Sequence, residues 1–212
     1  MIADDPTVID PILQELKTSF FNQKTKPLQF RKAQLRNLIK GLNELNEKFE
    51  TALAQDLGYN SFNTYVFSQM ISILDVEDNL NHLEEWAKPR AADTSLIVGP
   101  AISYILPEPY GVALVLSAWN YPVFTSIPPV AAAIAAGNCV ILKPSELAPA
   151  TSVALNELFT KYLDNSCYRV IEGKVEVAKA IIEKPFDFIF FTGSPEKGKL
   201  VGQVSQKNFM FY

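Results

Sequence analysis

From Tyr110 onward the chain alternates two kinds of segment, and that alternation leaves few folds open. Val112-Ala-Leu-Val-Leu116, Cys139-Val-Ile-Leu142, Tyr168-Arg-Val-Ile171 and Asp187-Phe-Ile-Phe-Phe191 are short and almost wholly apolar. Stretches of helical character follow each of them, at about 124–136, 149–163, 174–183 and 195–206. Continuous apolar strands separated by helices require a parallel sheet covered on both faces. The expected fold is α/β, a Rossmann-like parallel sheet that is incomplete at about four strands. Three of these strands run into polar endings, Trp119-Asn120-Tyr121-Pro122, Lys143-Pro144-Ser145-Glu146 and Thr192-Gly193-Ser194. In an open α/β sheet such endings gather on one rim, where ligands bind.

The residues before Tyr110 follow other periods. Asp5 is placed to cap a helix with Pro6 in its first turn, and Val8, Ile9, Ile12, Leu13, Leu16 and Phe20 recur at helical spacing. After Pro27, one long amphipathic segment carries Phe30, Leu35, Leu38, Leu42, Leu45, Phe49 and Leu53 to a left-handed stop at Gly58. A third helical segment runs from Val66 to Trp86. Between Thr94 and Pro109 the pattern reads as a two-stranded hairpin, Ser95–Val98 and Ile102–Leu106 about a Gly99-Pro100 turn. Two strands alone are marginal in water, so this ribbon is expected to pack on something else. The resulting division is a helical segment over 1–90, a hairpin over 91–109 and the α/β domain over 110–212.

Composition removes several function classes. A formal net charge of -4 gives no broad attraction to phosphate backbones or anionic lipid, so nucleic acid is not an expected partner. The acidic start, Met1-Ile2-Ala3-Asp4-Asp5, is unlike a signal or transit peptide, and no apolar run is long enough to span a bilayer. The expected address is the cytoplasm. Two cysteines, Cys139 and Cys167, are too few for a disulfide framework and lack zinc spacing, and the one histidine, His82, has no second ligand near it. No metal site is expected.

Three rim segments carry possible chemistry. Gly193-Ser-Pro-Glu-Lys-Gly198-Lys199-Leu200 follows a P-loop up to its last position, where Leu200 stands in place of the magnesium-binding hydroxyl. What remains is a glycine turn and a helix N-terminus able to receive a diphosphate, or simply a cap by Ser194 ahead of Pro195. Lys143 and Glu146 are either solvated charges or a pair able to hold the hydroxyls of an adenosine ribose. Asn120 is either an ordinary turn residue or an amide donor to an oxygen that gains negative charge.

Taken together, Glu108-Pro-Tyr-Gly-Val, Trp119-Asn-Tyr-Pro, Ala135-Ala-Gly-Asn138, Leu142-Lys-Pro-Ser-Glu146 and Phe191-Thr-Gly-Ser194 with Gly198 resemble the aldehyde dehydrogenase superfamily, class 3, fatty-aldehyde type. The resemblance covers essentially the whole chain. It implies an NAD or NADP site in which Lys143 and Glu146 face the adenine ribose. Gly193, Ser194 and Gly198 would lie beneath the diphosphate, Trp119 would line the cleft, and Asn120 would supply an oxyanion-hole donor. It also implies oxidation of a small-molecule aldehyde to an acid through a cysteine thiolate, with a glutamate activating water, and possible homo- or hetero-dimers. In similar proteins that glutamate and that cysteine lie beyond the Gly198 helix, and this chain has no glutamate after Glu196 and no cysteine after Cys167. The expectation is therefore a truncated, cofactor-binding portion, inactive by itself, with an apolar tail Asn208–Tyr212 and an open sheet edge that leaves an isolated monomer of doubtful stability. The alternative is a non-catalytic nucleotide-binding or subunit-interaction fragment. Neither Cys139, starting an apolar strand, nor Cys167, with Arg169 as its nearest basic neighbour in sequence, is expected to act as the nucleophile.

Overall fold

The structure is a computed structural model that describes residues 4–207. The apolar tail from Asn208 and the first three residues of the acidic start lie outside the described residues.

Asp5 accepts the Thr7 N–H at 2.9 Å and opens a 3-10 turn, Pro6–Val8, that leads into α1 (Ile9–Phe21). Helix α2 (Leu28–Glu44) begins directly after Pro27, whose fixed backbone suits a helix entrance. The amphipathic segment expected to run unbroken to Gly58 divides at Leu45 into α2 and α3 (Asn46–Leu57). Asparagines flank the break, where Asn43 turns its side-chain amide back to the Ile39 carbonyl, a local bond that competes with helix continuity. Gly58 ends α3 at φ 68°, as its type and position predict. The third segment is α4 (Ser61–Thr64), a π-helical turn (Tyr65–Met70) and α5 (Ile71–Trp86).

The antiparallel ribbon is present, but its first strand is β1 (Arg90–Ala92), paired with β2 (Ser103–Ile105). Ser95–Val98, expected as a strand, contains a 3-10 turn instead, in which the Ser95 hydroxyl accepts the Ile97 N–H. Leu96 and Ile97 are 99% and 94% exposed, so nothing rewards these apolar side chains for an extended pairing.

Four parallel strands form the main sheet: β3 (Val112–Leu116), β4 (Cys139–Lys143), β5 (Tyr168–Val170) and β6 (Phe188–Phe191), in the order β5-β4-β3-β6. Val112 to Leu116 lie beside Cys139 to Lys143, and Leu114 to Leu116 beside Ile189 to Phe191. Every residue of β3 and β4 is buried, which explains their unbroken apolar character. Helices α6 (Ile127–Ala136) and α7 (Pro149–Tyr162) make the crossovers into β4 and β5, while α8 (Val175–Ile182) and α9 (Pro195–Lys207) flank β6. Both α1 and α6 pack against β3 and β4. On the α6–α7 side, α2, α3 and α5 add an outer layer.

Two helix ends in the sheet domain are finished by side chains from the first sixty residues. At the C-terminus of α6 the Arg31 guanidinium donates to the carbonyls of Thr25, Lys26 and Ala135 at 2.9, 2.7 and 3.1 Å, and the Thr25 hydroxyl donates to the Gly137 carbonyl at 2.6 Å. Gly137 holds φ 95° against that guanidinium. At the N-terminus of α7 the residue in the cap position is Ala148, which has no side chain able to cap. Asp56 supplies the acceptors instead, taking the Ala150 and Thr151 N–H groups at 3.1 and 2.7 Å and the Thr151 hydroxyl at 2.8 Å.

Candidate functional site

Strand order locates the crevice before any residue role is assigned. The chain leaves β3 for β4 and β5 on one side and returns to place β6 on the other. The switch point therefore lies at the C-terminal ends of β3 and β6, the position where open α/β sheets bind ligands. The Leu116 carbonyl accepts the Thr192 N–H at 3.0 Å, and the Lys143 carbonyl accepts the Ser117 N–H at 3.2 Å. The three polar endings are thus joined along one rim.

At the end of β4 the Lys143 side chain is only 4% exposed, which removes the reading of a solvated charge. Its ammonium donates to the Pro144 carbonyl at 2.8 Å and lies 3.5 Å from the Glu146 carboxylate. Burial pulls the Lys143 ammonium below the usual lysine range, and Glu146 offsets part of that effect. A buried lysine at a sheet rim is costly unless its donors are used, and an ammonium has three.

Beyond β3, Trp119, Asn120 and Tyr121 are exposed, and the Asn120 carboxamide makes no hydrogen bond among the described residues. Thr125 holds the loop that presents them. Its hydroxyl lies 3.1 Å from both the Ala118 N–H and the Ala118 carbonyl and 2.9 Å from the Tyr121 carbonyl. Thr125 was not distinguishable in the sequence, because one hydroxyl in a proline-flanked turn has no signature of its own.

Beyond β6 the Ser194 hydroxyl accepts the Lys197 N–H at 3.4 Å, so the capping expectation holds in its geometry. Gly193 is fixed by close approach, since a Cβ there would sit 2.5 Å from the Phe191 ring. Gly198 faces the same ring, and residues 193–197 between them are exposed. Leu200 is exposed on α9, and among the described residues no group of three acidic, histidine or cysteine side chains could hold a metal ion. These features suit a diphosphate better than a magnesium–triphosphate pair. At the same rim the Ser117 hydroxyl oxygen is shielded from solvent and has no hydrogen-bond partner among the described residues.

A hollow of about 550 Å³ lies at the opposite rim between α2, α5 and α6. Its two cations are already engaged, Arg31 by carbonyls and Lys26 by Glu108 at 3.2 Å. At that rim Asn138 accepts the Gly111 N–H at 3.0 Å, and Asp187 accepts the Val112 N–H at 2.7 Å. The Ala135-Ala-Gly-Asn138 sequence therefore latches strand entrances and contributes no side chain to the crevice.

Comparison with known proteins decides the family. Residues 4–210 match the aldehyde dehydrogenase family. This chain is a member of that family. Aldehyde dehydrogenase family 3 member B2 of Mus musculus is 40% identical over 196 residues, which are 92% of this chain and 41% of the relative. Among solved structures, Staphylococcus aureus AldH in its substrate-bound state superposes with a TM-score of 0.92 at 37% identity, covering 95% of this chain and 44% of the other. A Mycobacterium tuberculosis aldehyde dehydrogenase complexed with NAD+ gives 0.87 at 25% identity, covering 99% and 43%. The chain thus spans about two fifths of the length of the relatives it matches.

In this aldehyde dehydrogenase chain neither cysteine is at the crevice. Cys139 and Cys167 are both fully buried, side by side at the start of β4 and just before β5. Hydrogen bonding to Cys167 and burial push the Cys139 thiol far up. The basic neighbour of Cys167 is not Arg169 but Lys24, which donates to Ser166 at 2.7 Å and pairs with Asp164 at 2.7 Å. His82 is an exposed helix residue stacked on Trp86.

Proposed function

We propose that the chain is the cofactor-cradling portion of an NAD- or NADP-dependent aldehyde dehydrogenase that oxidises aldehydes to carboxylic acids. The observation that carries this reading is the buried Lys143 paired with Glu146, on the same rim as the exposed turn over residues 193–197 with β3 between them. Lys143 and Glu146 would hold the adenosine ribose, an ammonium donating and a carboxylate accepting hydroxyl protons. The turn and the N-terminus of α9, with Ser194 and Gly198, would receive the diphosphate. Trp119 would line the cleft. When bound, the nicotinamide supplies the hydride acceptor. Asn120 would direct its amide N–H at the aldehyde oxygen as that oxygen becomes negative, in a loop that Thr125 keeps in place. The 212 residues contain no exposed thiol to attack the aldehyde, so by themselves they would bind cofactor without turnover.

The test is calorimetric titration of the chain with NAD+, NADP+ and magnesium ATP, alongside Lys143→Met and Glu146→Gln. Binding of a nicotinamide dinucleotide, weakened at least tenfold in Lys143→Met, is expected, with no magnesium-dependent ATP binding. Equal affinity in all three proteins would refute the site. Aldehyde oxidation by the chain that disappears in Cys139→Ser or Cys167→Ser would refute the absence of turnover.

A second reading, a subunit-interaction role, is favoured by the apolar ribbon: Leu96, Ile97, Ile102 and Tyr104 are all well exposed. It places homo- or hetero-dimerisation on the ribbon, and size-exclusion of Ile97→Asp against the parent chain checks it. A cytoplasmic address is part of the same proposal. No helix among the described residues is long and apolar enough to cross a membrane.

A further inference from the structure

We propose that this chain prefers NAD to NADP, and that Asp4, folded back onto the start of α8, enforces the preference by repelling the phosphate that NADP carries on its adenosine ribose. This inference rests on the function proposed above. The Asp4 carboxylate oxygen Oδ1 accepts the Lys174 N–H at 2.8 Å and the Val177 N–H at 3.1 Å. It does so where Lys174, in the cap position of α8, provides no side-chain cap. A second tie holds the same segment down, since Asp10 pairs at 2.7 Å with Lys184, just past the end of α8. α8 follows β5, and β5 lies beside β4, with the Ile171 N–H donating to the Leu142 carbonyl at 2.9 Å. The chain therefore leaves β5 for α8 alongside Lys143, on the rim that carries the Lys143–Glu146 pair.

Charge decides what Asp4 does there. Burial pulls the Lys143 ammonium down, and Asp4 acts with Glu146 to hold it up, so the Asp4 carboxylate is within electrostatic reach of the group that would hold the ribose. A ribose hydroxyl at that place is neutral, whereas a phosphate carries close to two negative charges at neutral pH. The start of a helix ordinarily favours such a group, because its free N–H groups and dipole attract anions. In α8 Asp4 already takes those donors and adds a negative charge of its own. The neighbouring charges do not reverse this. Glu176 pairs with Lys179 at 3.1 Å, Glu172 accepts from Asn156 at 2.8 Å, and Lys174 offsets part of the Asp4 charge. Asp4, Glu146 and Glu172 thus stand against Lys143 and Lys174, a balance that stays negative and opposes a phosphate but not a neutral ribose.

The experiment compares the parent chain with Asp4→Asn and Asp4→Ala, measuring NAD+ and NADP+ affinity by calorimetry and the unfolding temperature of each free protein. Asparagine keeps a capping oxygen and removes the charge, while alanine removes both. The parent is expected to bind NAD+ about tenfold or more tightly than NADP+. In Asp4→Asn the NADP+ affinity is expected to rise about threefold to tenfold at low salt, and less at physiological ionic strength, with NAD+ affinity held within about twofold. Asp4→Ala should show the same gain for NADP+ together with a lower unfolding temperature. A parent that binds the two dinucleotides equally overturns the inference. An affinity ratio unchanged in Asp4→Asn also overturns it, and if Asp4→Ala then only melts earlier, Asp4 is a helix cap and nothing more. A parent chain that binds neither dinucleotide refutes the proposed function and this inference with it, whereas a parent that binds NAD+ with a ratio unmoved by Asp4→Asn refutes only the inference.

Discussion

Replacing Asp56 should reveal how far the helical layer stabilises the sheet domain. The carboxylate is half-buried and accepts three hydrogen bonds at the start of α7, two from backbone N–H groups and one from the Thr151 hydroxyl. α7 has no cap of its own, because Ala148 occupies the cap position and Pro149 has no N–H. Asp56→Ala therefore leaves the Ala150 and Thr151 donors to whatever water can reach them. A lost cap costs roughly 0.5–2 kcal/mol, and hydrogen bonds to a charged group contribute about 1.5–3 kcal/mol each, though not additively. Partial solvent replacement brings the expected loss to about 2–4 kcal/mol. For a chain of this size that corresponds to a fall in unfolding temperature of about 4–16 °C. Urea unfolding followed by circular dichroism gives the free energy directly, and a double-mutant cycle with Thr151→Val isolates the side-chain pair, with a coupling of about 0.5–3 kcal/mol expected. A loss below about 0.5 kcal/mol in Asp56→Ala, or a cycle that shows simple additivity, would refute the claim that α7 is capped from α3.

Two other perturbations follow from the same structure. Gly137→Ala should cost about 2–4 kcal/mol, because the new Cβ meets a left-handed backbone and lies 2.6 Å from the Arg31 guanidinium carbon. Gly58→Ala, also left-handed but in open space, should cost only about 1 kcal/mol, and equal losses in urea unfolding would show that the Arg31 contact is irrelevant. Burial pushes the Asp164 carboxyl up, but hydrogen bonds from Lys24 and Ser166 outweigh it and hold the group below its ordinary value near 3.8. A carboxyl depressed on folding stabilises the protein above its unfolded pKa, and that contribution is lost as pH falls through the folded value. The stability gap between the parent chain and Asp164→Asn should accordingly be full at pH 6 and close below about pH 3.8, as read from urea midpoints across that range; a pH-independent gap would contradict the assignment.

The elements legible in the sequence were those whose cause is local. β3 and β4 are apolar at every position because both faces are covered, and Gly58 and Gly137 mark helix ends because a left-handed residue is needed there. The rim was legible because motif residues sit at strand ends, where the chain order alone brings them together. What escaped depended on partners far along the chain. Asp56 is an unremarked acidic residue until α7 arrives with no cap, and Arg31 an ordinary helix cation until α6 ends against it. Lys24 reaches Asp164 and Ser166 across more than a hundred positions, so the setting of Cys167 could not be read from Arg169. The Ser95–Val98 error had the opposite cause: an apolar tetrad before Gly-Pro looks like a strand, but a strand also needs something to bury against. Lys143 was undecidable because the same residue at a strand end serves equally as a solvated charge, and only the surrounding loop settles its burial.

The closure of α6 and α7 by Thr25, Arg31 and Asp56 has a consequence for how the chain is made. These side chains precede the groups they complete by 94 to 112 residues. At synthesis rates of about 5–20 residues per second, they leave the ribosome roughly 5–20 s before their partners exist. Throughout that interval α2 and α3 are short helices without the surface that stabilises them, and such helices are marginal in water. Thr151 is the last of these partners to be added, so a nascent chain shorter than that has an incomplete set of tertiary caps and presents its apolar helix faces to chaperones.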